Sequence, residues 1–595
     1  MDSARAKQQG GSWLLNDEQS TTFTPEMLSN EHRLIAQTTD EFVDTEVLPN
    51  LDKLEAHDWP LARTLVRKCG ELGLLGTTAP EQYGGLDMDK VSSLIVSERI
   101  ARSASFATTY GGQANLCILP IVWFGTDIQK QTYLPKLVAG ELVGAYALSE
   151  SGSGSDAFAA KTRATRESDG TWTLNGEKMW ISNGGFADVI IVFAQVDGEH
   201  FTAFIVEKRF PGVSAGHEEH KMGLHGSSTT PILLQDAKVP AENVLGEIGK
   251  GHKVALNALN FGRFKLGGMS VGGCRSAIGE AARYAAERKQ FGHPIAAFGA
   301  IRHKLGEMTA RTYAMESLTY RTAGLIDDML ANGTQDSMHD GAAAARAFEE
   351  YAVEASIAKV GGTEALNFVL DENIQIHGAN GYVKDYPAER HYRDSRVNRI
   401  FEGTNEINRM LIPGMLIRRA LKGEFALIPA AKRLQDEVLS PSAPIARSGD
   451  DSVLDEALRI AAAFKKLALM VLGTAMQTYG QKLNDEQEVL TYAADIIIDA
   501  YAAESAVLRA RAAAANGHSQ ADLHEAAARV FVNDAAQRVE AAARNALAAM
   551  ADGDTLRVLL GALRRLLKVA PINTVTLRRR LADASVARGR YILES

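Results

Sequence analysis

The stretch Thr171-Trp-Thr-Leu-Asn-Gly-Glu-Lys-Met-Trp-Ile-Ser182 interrupts a chain whose remaining segments mostly show helical periodicity. It has strand-like character on both sides of Asn175-Gly176, a dipeptide that favours a two-residue hairpin turn. Four more strand-like segments surround it with no helical pattern between them, at residues 142–148, 189–194, 201–206 and 232–237. We therefore predict a hairpin that turns at Asn175-Gly176, within a small antiparallel β-domain.

Helical periodicity lies on both sides of this β-domain. Apolar residues recur at helical spacing from Pro25 and again from Gly251, and an alanine-rich helical region follows a Pro/Ser-rich stretch. The predicted fold class is therefore α+β, mostly α. The predicted segments are a flexible N-terminus (1–24), an N-terminal helical domain (25–141), a central antiparallel β-domain (142–250), a helical bundle (251–422), a linker (423–452) and an additional C-terminal helical domain (453–595).

Composition narrows the functional classes. The 595 residues carry a net charge of −9, which argues against a protein that binds a nucleic-acid backbone. The three cysteines lie far apart, so we predict neither a disulfide framework nor a metal site. No apolar run is long enough to span a bilayer, and the polar start lacks an apolar signal core. We expect a soluble cytoplasmic protein.

Glu402 is the candidate catalytic residue. It follows the apolar pair Ile400-Phe401 and precedes Gly403, after which a helix is predicted to start with Thr404 or Asn405 as its cap. An apolar wall raises the pKa of such a carboxyl group and a helix N-terminus lowers it, and positions of this kind suit a general base. The alternative interpretation is an acid that only caps the helix.

Other motifs also have two interpretations. The glycine-rich stretch Ser151–Ala157 is followed by a predicted strand where a dinucleotide site needs a helix, so it is a plain turn or a ligand-contacting loop. Trp180 is a core aromatic or a flat wall against a cofactor ring. The basic residues of the segment Arg288–Gly292 either complement the negative end of a helix dipole or contact a phosphate or an adenine. The turn Gln375–Tyr382 can bring backbone N–H groups to an anion.

Taken together and in order, these motifs resemble the acyl-CoA dehydrogenase family, over roughly residues 25–425. The additional C-terminal helical domain and the form Phe401-Glu-Gly-Thr-Asn405 resemble its very-long-chain branch. The motifs are Tyr146-Ala-Leu-Ser-Glu-Ser-Gly-Ser-Gly-Ser-Asp156, Lys178-Met-Trp-Ile-Ser-Asn183, Glu287-Arg-Lys-Gln-Phe-Gly292, Gln375–Tyr382 and Ile400-Phe-Glu-Gly-Thr-Asn405.

The resemblance implies FAD as cofactor and Glu402 as the base that removes the α-proton of an acyl-CoA. Flavin contacts are implied in three regions, of which the second reaches FAD across a subunit interface. The first region is a loop and a strand, with Tyr146, Leu148, Ser149, Gly154, Ser155, Trp180, Ile181 and Ser182. The second consists of two segments, with Arg288, Gln290, Phe291, Gln375 and Gly378. The third is the helix start at Thr404, Asn405 and Glu406.

Substrate contacts follow from the same resemblance. Ser155 lies near the acyl-CoA, Arg263 matches a CoA-side arginine, Phe401 walls the acyl chain and Gly403 lets the backbone approach the thioester. Gly111 and Gly112 match positions near the floor of the acyl pocket. Because glycine leaves that floor empty, we expect a deep pocket and long-chain substrates.

The sequence departs from the family pattern in three places. Ser151 replaces a proline, which alters loop stiffness, and Gly299 stands where some members carry a flavin-contacting glutamine. Pro413 lies inside the helix after the base, which it is expected to kink or end.

The expected activity is FAD-dependent α,β-dehydrogenation of long-chain acyl-CoA to trans-2-enoyl-CoA in fatty-acid β-oxidation. Electron-transfer flavoprotein is the expected acceptor, and a homodimer or homotetramer is the expected assembly. Two alternatives stay open: an acyl-CoA oxidase or another oxygen-using flavoprotein on the same fold, and a non-catalytic flavoprotein scaffold. The C-terminal domain could also make peripheral contact with a membrane.

Overall fold

The computed structural model describes residues 9–15, 22–332, 341–439 and 452–593. The N-terminal domain is helical, as its periodicity predicts. Several of its helices begin at a Ser, Thr or Asp whose side chain accepts a backbone N–H, which satisfies donors left free at a helix start. The helices are α1 (Asn30–Phe42), α2 (Leu51–Glu55), α3 (Trp59–Glu71), α4 (Lys90–Ile100), α5 (Ala104–Gln113), α6 (Leu119–Phe124) and α7 (Asp127–Val138).

A β-domain follows at the predicted place. Its strands are β1 (Gly144–Ala147), β2 (Arg163–Arg166), β3 (Trp172–Ser182), β4 (Val189–Val196), β5 (His200–Glu207), β6 (Val213–Ala215), β7 (Thr229–Val239) and β8 (Val244–Leu245). Their order across the sheet is β6-β7-β3-β2-β4-β5-β8, and β1 pairs with β4. The prediction of an antiparallel sheet is wrong in part, because β1 and β2 both run parallel to β4.

The predicted hairpin at Asn175-Gly176 is wrong. Strand β3 runs straight through this dipeptide, and the antiparallel pairing of β3 with β7 shifts register between Leu174 and Gly176. The hairpin lies one strand earlier, between β2 and β3, where the Glu167 and Thr171 backbones bond across Asp169-Gly170. Asp-Gly is an equally good turn signal. Gly176 instead allows Thr162 to approach, because a Cβ there would lie 2.4 Å from its hydroxyl oxygen.

The helical bundle supplies the longest helices. They are α8 (Gly251–Glu287), α9 (Gly299–Ala331), α10 (Gly341–Glu350), α11 (Ala352–His377), α12 (Pro387–Ser395) and α13 (Asn405–Leu421), with the short strands β9 (Lys289–Gln290) and β10 (His293–Pro294) between α8 and α9. Helices α8 and α11 pack along each other. Close packing explains the glycines of α8, since a Cβ on Gly272 would lie 1.9 Å from the Glu98 carbonyl oxygen of α4.

Two details of the bundle differ from expectation. The helical periodicity of this region predicts one continuous helix over residues 341–375, and the structure interrupts it at Tyr351, between α10 and α11. Pro413 does not end its helix, because α13 continues to Leu421 with Pro413 buried inside it. The expected linker 423–452 contains helix α14 (Leu427–Leu439), and its remaining stretch 440–451 lies outside the described residues.

The C-terminal domain packs directly on the bundle. It consists of α15 (Val453–Tyr479), α16 (Gln487–Ala515), α17 (Ala521–Met550), α18 (Gly553–Leu566) and α19 (Thr574–Arg588). Its apolar side chains form one continuous core with those of α8, α9, α11 and α13. In the part of the chain that is described, no helix combines the length and apolar character needed to cross a membrane.

Part of the expected flexible N-terminus belongs to this shared core. Trp13 is 2% exposed, and its ring centroid lies 4.6 Å from that of Tyr501 in α16. The Trp13 indole N–H and the Gly11 backbone N–H both donate to the buried Glu354 carboxylate of α11. Residues 9–15 are therefore packed, and the prediction of flexibility is wrong for them.

Candidate active site

Glu402 lies in a left-handed loop immediately before α13. Its φ is +57° and that of Gly403 is +78°. A left-handed conformation costs a residue with a side chain about 1–3 kcal/mol, so the surroundings must hold it. Thr404 is the cap of α13, because its hydroxyl accepts the Ile407 N–H at 3.2 Å. The carboxylate of Glu402 is therefore not used to cap the helix.

Three side chains hold the backbone of this base loop, residues 401–404. Arg263 of α8 donates from Nε to the Glu402 carbonyl oxygen at 3.1 Å. Lys359 of α11 donates from Nζ to the Gly403 carbonyl oxygen at 2.8 Å, and so does the Asn408 amide. These donors engage the backbone carbonyls, which stabilises the strained loop and leaves the carboxylate unbonded.

The Glu402 carboxylate has the properties of a base. Its Oε2 is buried and has no hydrogen-bond partner within the described residues. Burial raises the pKa of Glu402 to about 7, and the nearby charges of Arg263 and Lys359 limit that rise. A carboxyl group with a pKa near 7 can be ionised at neutral pH and still accept a proton readily.

Lys359 is a site residue that sequence reasoning missed. Burial lowers the pKa of its amino group to about 7, and the Glu402 carboxylate opposes this effect. Because the two groups interact, we expect them to titrate as a pair. No local motif marks Lys359, which lies in the middle of an apolar helical stretch 44 residues before Gly403.

Gly262 is a second missed residue. A Cβ at this position would lie 2.8 Å from both Cδ and Oε2 of Glu402, so the carboxylate occupies the space that a side chain would take. The signal was its place beside Arg263, in the Asn260-Phe-Gly-Arg stretch. The Glu402 carboxylate can therefore take its observed position only if residue 262 is a glycine.

Tyr146 brings the β-domain to the same place. It lies on β1, and its hydroxyl is buried with no hydrogen-bond partner among the residues described. Burial and the nearby Glu402 charge raise the pKa of this hydroxyl well above its ordinary value. The orphaned hydroxyl and the orphaned carboxylate oxygen mark a polar site where the β-domain meets the bundle.

The glycine loop, residues 149–156, is anchored at one end and exposed at the other. Glu150 accepts hydrogen bonds from Lys178 Nζ at 2.7 Å, from the Thr162 hydroxyl and from the Lys161 backbone N–H. Gly154 and Ser155 are exposed, whereas Leu148 packs into the core. The loop can therefore offer its backbone to a ligand.

Trp180 is not a core residue. It has a φ of +58° at the second register shift of β3, and it is 54% exposed. The core interpretation is therefore wrong, and the indole is available as a wall. Ile181 points the other way and is 2% exposed, so only its backbone could contact a cofactor. Ser182 is half-buried.

The second predicted region forms a separate surface. Arg288, Gln290 and Phe291 lie on an exposed hairpin after α8, and Phe291 is 90% exposed. Gln375 and Gly378 lie beside this surface at the end of α11, because Tyr284 of α8 donates to the His377 carbonyl oxygen. At 1.5 Å per helical residue, Arg288 lies about 40 Å from Gly262 and Gln375 about 24 Å from Lys359. This surface is therefore remote from Glu402 of the same chain.

Two predicted ligand contacts are buried in this structure. Arg263 is 3% exposed and bonds the Glu402 and Asn260 oxygens, so it supports the base loop, and its contact with CoA stays a prediction. Asn405 is 1% exposed, and both ends of its amide bond Lys359, Thr363 and Glu364, so only its backbone N–H is available to a cofactor. The backbone of Thr404, the exposed Glu406 and the half-buried Phe401 stay accessible.

The paired glycines of α5 have different surroundings. A Cβ on Gly112 would lie 2.8 Å from the Asn183 amide, which bonds the Thr109 and Gly144 carbonyls. Packing therefore explains Gly112, and it does not lie on the floor of an open pocket. Gly111 is half-buried, and a Cβ there would approach only the Asn115 amide, at 3.6 Å, within the described structure.

Comparison with known proteins agrees with this fold and site. Four family models match the chain: Acyl-CoA dehydrogenase, N-terminal domain (residues 29–141), middle domain (145–237), and two described as Acyl-CoA dehydrogenase, C-terminal domain (249–416 and 463–565). A probable acyl-CoA dehydrogenase of Bacillus subtilis is 47% identical over 580 residues, 97% of each chain. The human mitochondrial short-chain specific acyl-CoA dehydrogenase is 36% identical and covers 66% of this chain and 91% of its own.

One solved structure matches the whole chain. An acyl-CoA dehydrogenase of Bacillus anthracis, complexed with FAD, has a TM-score of 0.95 and 47% identity over 98% of this chain and 100% of its own. The family models and this match to an FAD complex place the chain among the flavoprotein oxidoreductases. The chain belongs to the acyl-CoA dehydrogenase family, and the predicted family and fold class are confirmed.

Proposed function

We propose that this protein dehydrogenates an acyl-CoA thioester between its α and β carbons, with Glu402 as the base. The observation that carries this proposal is the Glu402 carboxylate, whose buried Oε2 has no hydrogen-bond partner in the described structure and whose pKa is raised by burial to about 7. An α C–H beside a thioester is a weak acid, so its removal needs a desolvated carboxylate of raised basicity. Glu402 keeps this basicity because Arg263 and Lys359 bond its loop and not its carboxylate.

The same site fits FAD. The glycine loop lies beside the strand that carries the exposed Trp180, because the Met179 N–H donates to the Ser149 carbonyl oxygen. The orphaned Tyr146 hydroxyl lies close enough to Glu402 for that charge to add to the effect of burial on its pKa. We assign Tyr146, Ser149, Gly154, Ser155, Trp180 and Ser182 to the flavin end. When bound, FAD supplies the acceptor for the hydride that leaves the β-carbon. The start of α13 at Thr404 and Glu406 offers backbone N–H groups to phosphate.

The active assembly is at least a dimer in this proposal. Arg288, Gln290, Phe291, Gln375 and Gly378 form an exposed surface about 24–40 Å along the helices from the base. These residues would therefore contact the FAD of a second copy. Phe291 is 90% exposed, which agrees with a side chain that only a second copy of the chain would cover.

Long-chain acyl-CoA is the proposed substrate class. Of the paired glycines, only Gly111 supports it, because a Cβ there would meet the Asn115 amide at an ordinary contact distance of 3.6 Å, whereas one on Gly112 would collide. Activity that falls steadily from octanoyl-CoA to palmitoyl-CoA would exclude long-chain preference. Gly111→Leu should lower the optimal chain length, whereas any side chain at Gly112 collides with Asn183 and reports on folding.

Electron-transfer flavoprotein is the proposed electron acceptor. The rate at which each acceptor reoxidises the reduced enzyme distinguishes it from oxygen. The reduced enzyme should react rapidly with the flavoprotein and slowly with air. Rapid reaction with air would favour an oxidase. Peripheral membrane contact through the C-terminal domain remains a proposal that binding to anionic vesicles would test.

The central experiment is anaerobic titration of the FAD-loaded protein with palmitoyl-CoA. Wild type should lose its flavin absorbance, and Glu402→Gln should bind the ligand without this loss. Glu525→Gln removes a carboxylate in the C-terminal domain and serves as the matched control. If wild-type flavin is not bleached by any acyl-CoA tested, the protein is not a dehydrogenase of these substrates, and the scaffold alternative gains support.

A further inference from the structure

A polar path leads from the base loop towards the C-terminal domain. Lys359, which holds the Gly403 carbonyl, also donates to Asn405 Oδ1 at 2.6 Å. The Asn405 amide in turn donates to Glu364 Oε1 at 3.0 Å. Asn405 is 1% exposed and is the first residue of α13, so this path runs through the start of the helix that follows the base.

Arg409 continues the path on the next turn of α13. Its two terminal nitrogens bond the two Glu364 oxygens at 2.6 and 2.9 Å, which is a bidentate pair. Its Nε donates to Asp495 Oδ1 at 2.8 Å. Asp495 lies on α16, so one guanidinium joins the bundle to the C-terminal domain. Helices α13 and α16 also pack against each other.

The polar path from Asp495 to Lys359 ends at the base loop, whose backbone is strained. Hydrogen bonds to the Glu402 and Gly403 carbonyls help to hold the strained left-handed backbone of Glu402. Lys359 holds one of them, and Asn405 orients Lys359. Asn405 depends on Glu364, which is aligned by Arg409, and Asp495 fixes the remaining edge of Arg409. A planar guanidinium held on two edges has far less freedom than one held on a single edge.

We propose that Asp495 is a positioning residue for the catalytic base, so that the additional C-terminal domain holds the start of α13 in the geometry that catalysis needs. This inference rests on the proposed function of Glu402. It gives the C-terminal domain a role in the reaction, although Asp495 does not touch the Glu402 carboxylate and acts on it only through the polar path.

The chain supplies a closely matched control. Asp499 lies one turn after Asp495 on α16 and pairs with Arg538 at 2.7 Å. Arg538 belongs to α17, so this second pair lies wholly inside the C-terminal domain. Asp495→Asn and Asp499→Asn therefore make the same chemical change on the same helix, and only the first loosens a contact with α13.

The test compares both variants with wild type as FAD-loaded proteins. We expect Asp495→Asn to lower kcat roughly three- to tenfold with little change in KM, because a small misplacement of the base slows proton removal. The acidic limb of its kcat–pH profile should move up by about half a pH unit as Lys359 loosens. The charged and titratable groups that interact with Glu402 are Tyr146, Arg263 and Lys359, and Asp495→Asn leaves all three in the protein. Asp495→Glu should restore most of the activity, and Asp499→Asn should behave as wild type.

Hydrogen exchange gives a readout that does not depend on activity. Backbone amides of residues 400–410 should exchange faster in Asp495→Asn than in Asp499→Asn. Equal kcat, pH profile and exchange in the two variants would overturn the inference. Equal loss of activity in both, with equal loss of thermal stability, would overturn it too, since that result is general destabilisation. If wild type itself fails to bleach with acyl-CoA, the proposed function fails, and the exchange result still decides whether Asp495 holds the loop.

Discussion

Lys178 and Lys359 are buried lysines that lie beside glutamates, and these two pairs are bonded differently. In the β-domain, Lys178 Nζ contacts the Glu150 carboxylate at 2.7 Å. Burial raises the pKa of Glu150, but the bonds from Lys178, Thr162 and Lys161 outweigh it and bring the pKa below its ordinary value. At the base loop, Lys359 bonds the Gly403 carbonyl instead, and the pKa of Glu402 rises to about 7.

The difference shows how one pair of residue types serves two purposes. A cation bonded directly to a carboxylate removes its basicity, which suits an anchor for the glycine loop. A cation bonded to the neighbouring backbone holds the loop and leaves the carboxylate able to take a proton. The contact atom, and not the presence of a lysine, decides between structure and chemistry.

The largest effect expected from this comparison is loss of catalysis in Glu402→Gln. The amide cannot accept the α-proton, so kcat should fall about 10³–10⁴-fold while the fold is kept. Steady-state rates with palmitoyl-CoA and a circular dichroism spectrum measure both quantities. A fall of less than tenfold would assign the base to another residue.

Glu150→Gln should act on stability and not on proton removal. It leaves Lys178 buried with no carboxylate partner, which costs about 3 kcal/mol of the free energy of unfolding. Denaturant titration measures this loss. The control is Glu167→Gln in the same domain, whose partner Lys238 lies 3.6 Å away at an exposed site, where a pair contributes about 1 kcal/mol or less. Equal costs in the two variants would contradict the prediction.

Stability should also depend on pH through Glu402. Its folded pKa of about 7 lies above the unfolded value near 4.5, so the protonated form favours the folded state. This contribution is complete below pH 4.5 and is lost as pH rises through 7. The free energy of unfolding of wild type should therefore fall by about 2 kcal/mol relative to Glu402→Gln between pH 5 and pH 8. Parallel curves for the two proteins would show that Glu402 keeps an ordinary pKa.

The smallest effect expected is that of Lys359→Met. Removing this cation should raise the pKa of Glu402, which leaves less of the base ionised and lowers kcat at pH 7 about tenfold. The rate should recover as pH increases. Lys265→Met is the matched control, because Lys265 is also buried but bonds Ser93 of α4. A profile that shifts equally in both variants would show a general effect of removing a buried lysine.

Much of the fold was predictable because local patterns determine local structure. Helical and alternating periodicities located the helical domains and the β-domain. The hairpin failed because two dipeptides, Asn175-Gly176 and Asp169-Gly170, carry the same turn signal. Only pairing with β7 decides which of them turns. Pro413 was expected to kink or end its helix, and the helix continues to Leu421 with Pro413 buried inside it.

The site divides in the same way. Glu402, the glycine loop and Trp180 were found because each lies in a recognisable local motif. Lys359 and Gly262 were missed, and the contacts that Arg263 and Asn405 make with other parts of the chain were not foreseen. The contact of Arg263 with Glu402 spans 139 residues, so its target cannot be inferred from its neighbours in sequence.

By itself the sequence determined the order of domains and the family to which the chain belongs, and it marked Glu402 as the candidate base. These depend on residue types and spacings over short stretches. Only the tertiary structure decided that Lys359 and Arg263 bond the backbone of Glu402 and Gly403, that Gly262 leaves space for the carboxylate, and that Asp495 reaches α13. The pKa of a carboxyl group depends on which atoms surround it, and those atoms come from distant parts of the chain.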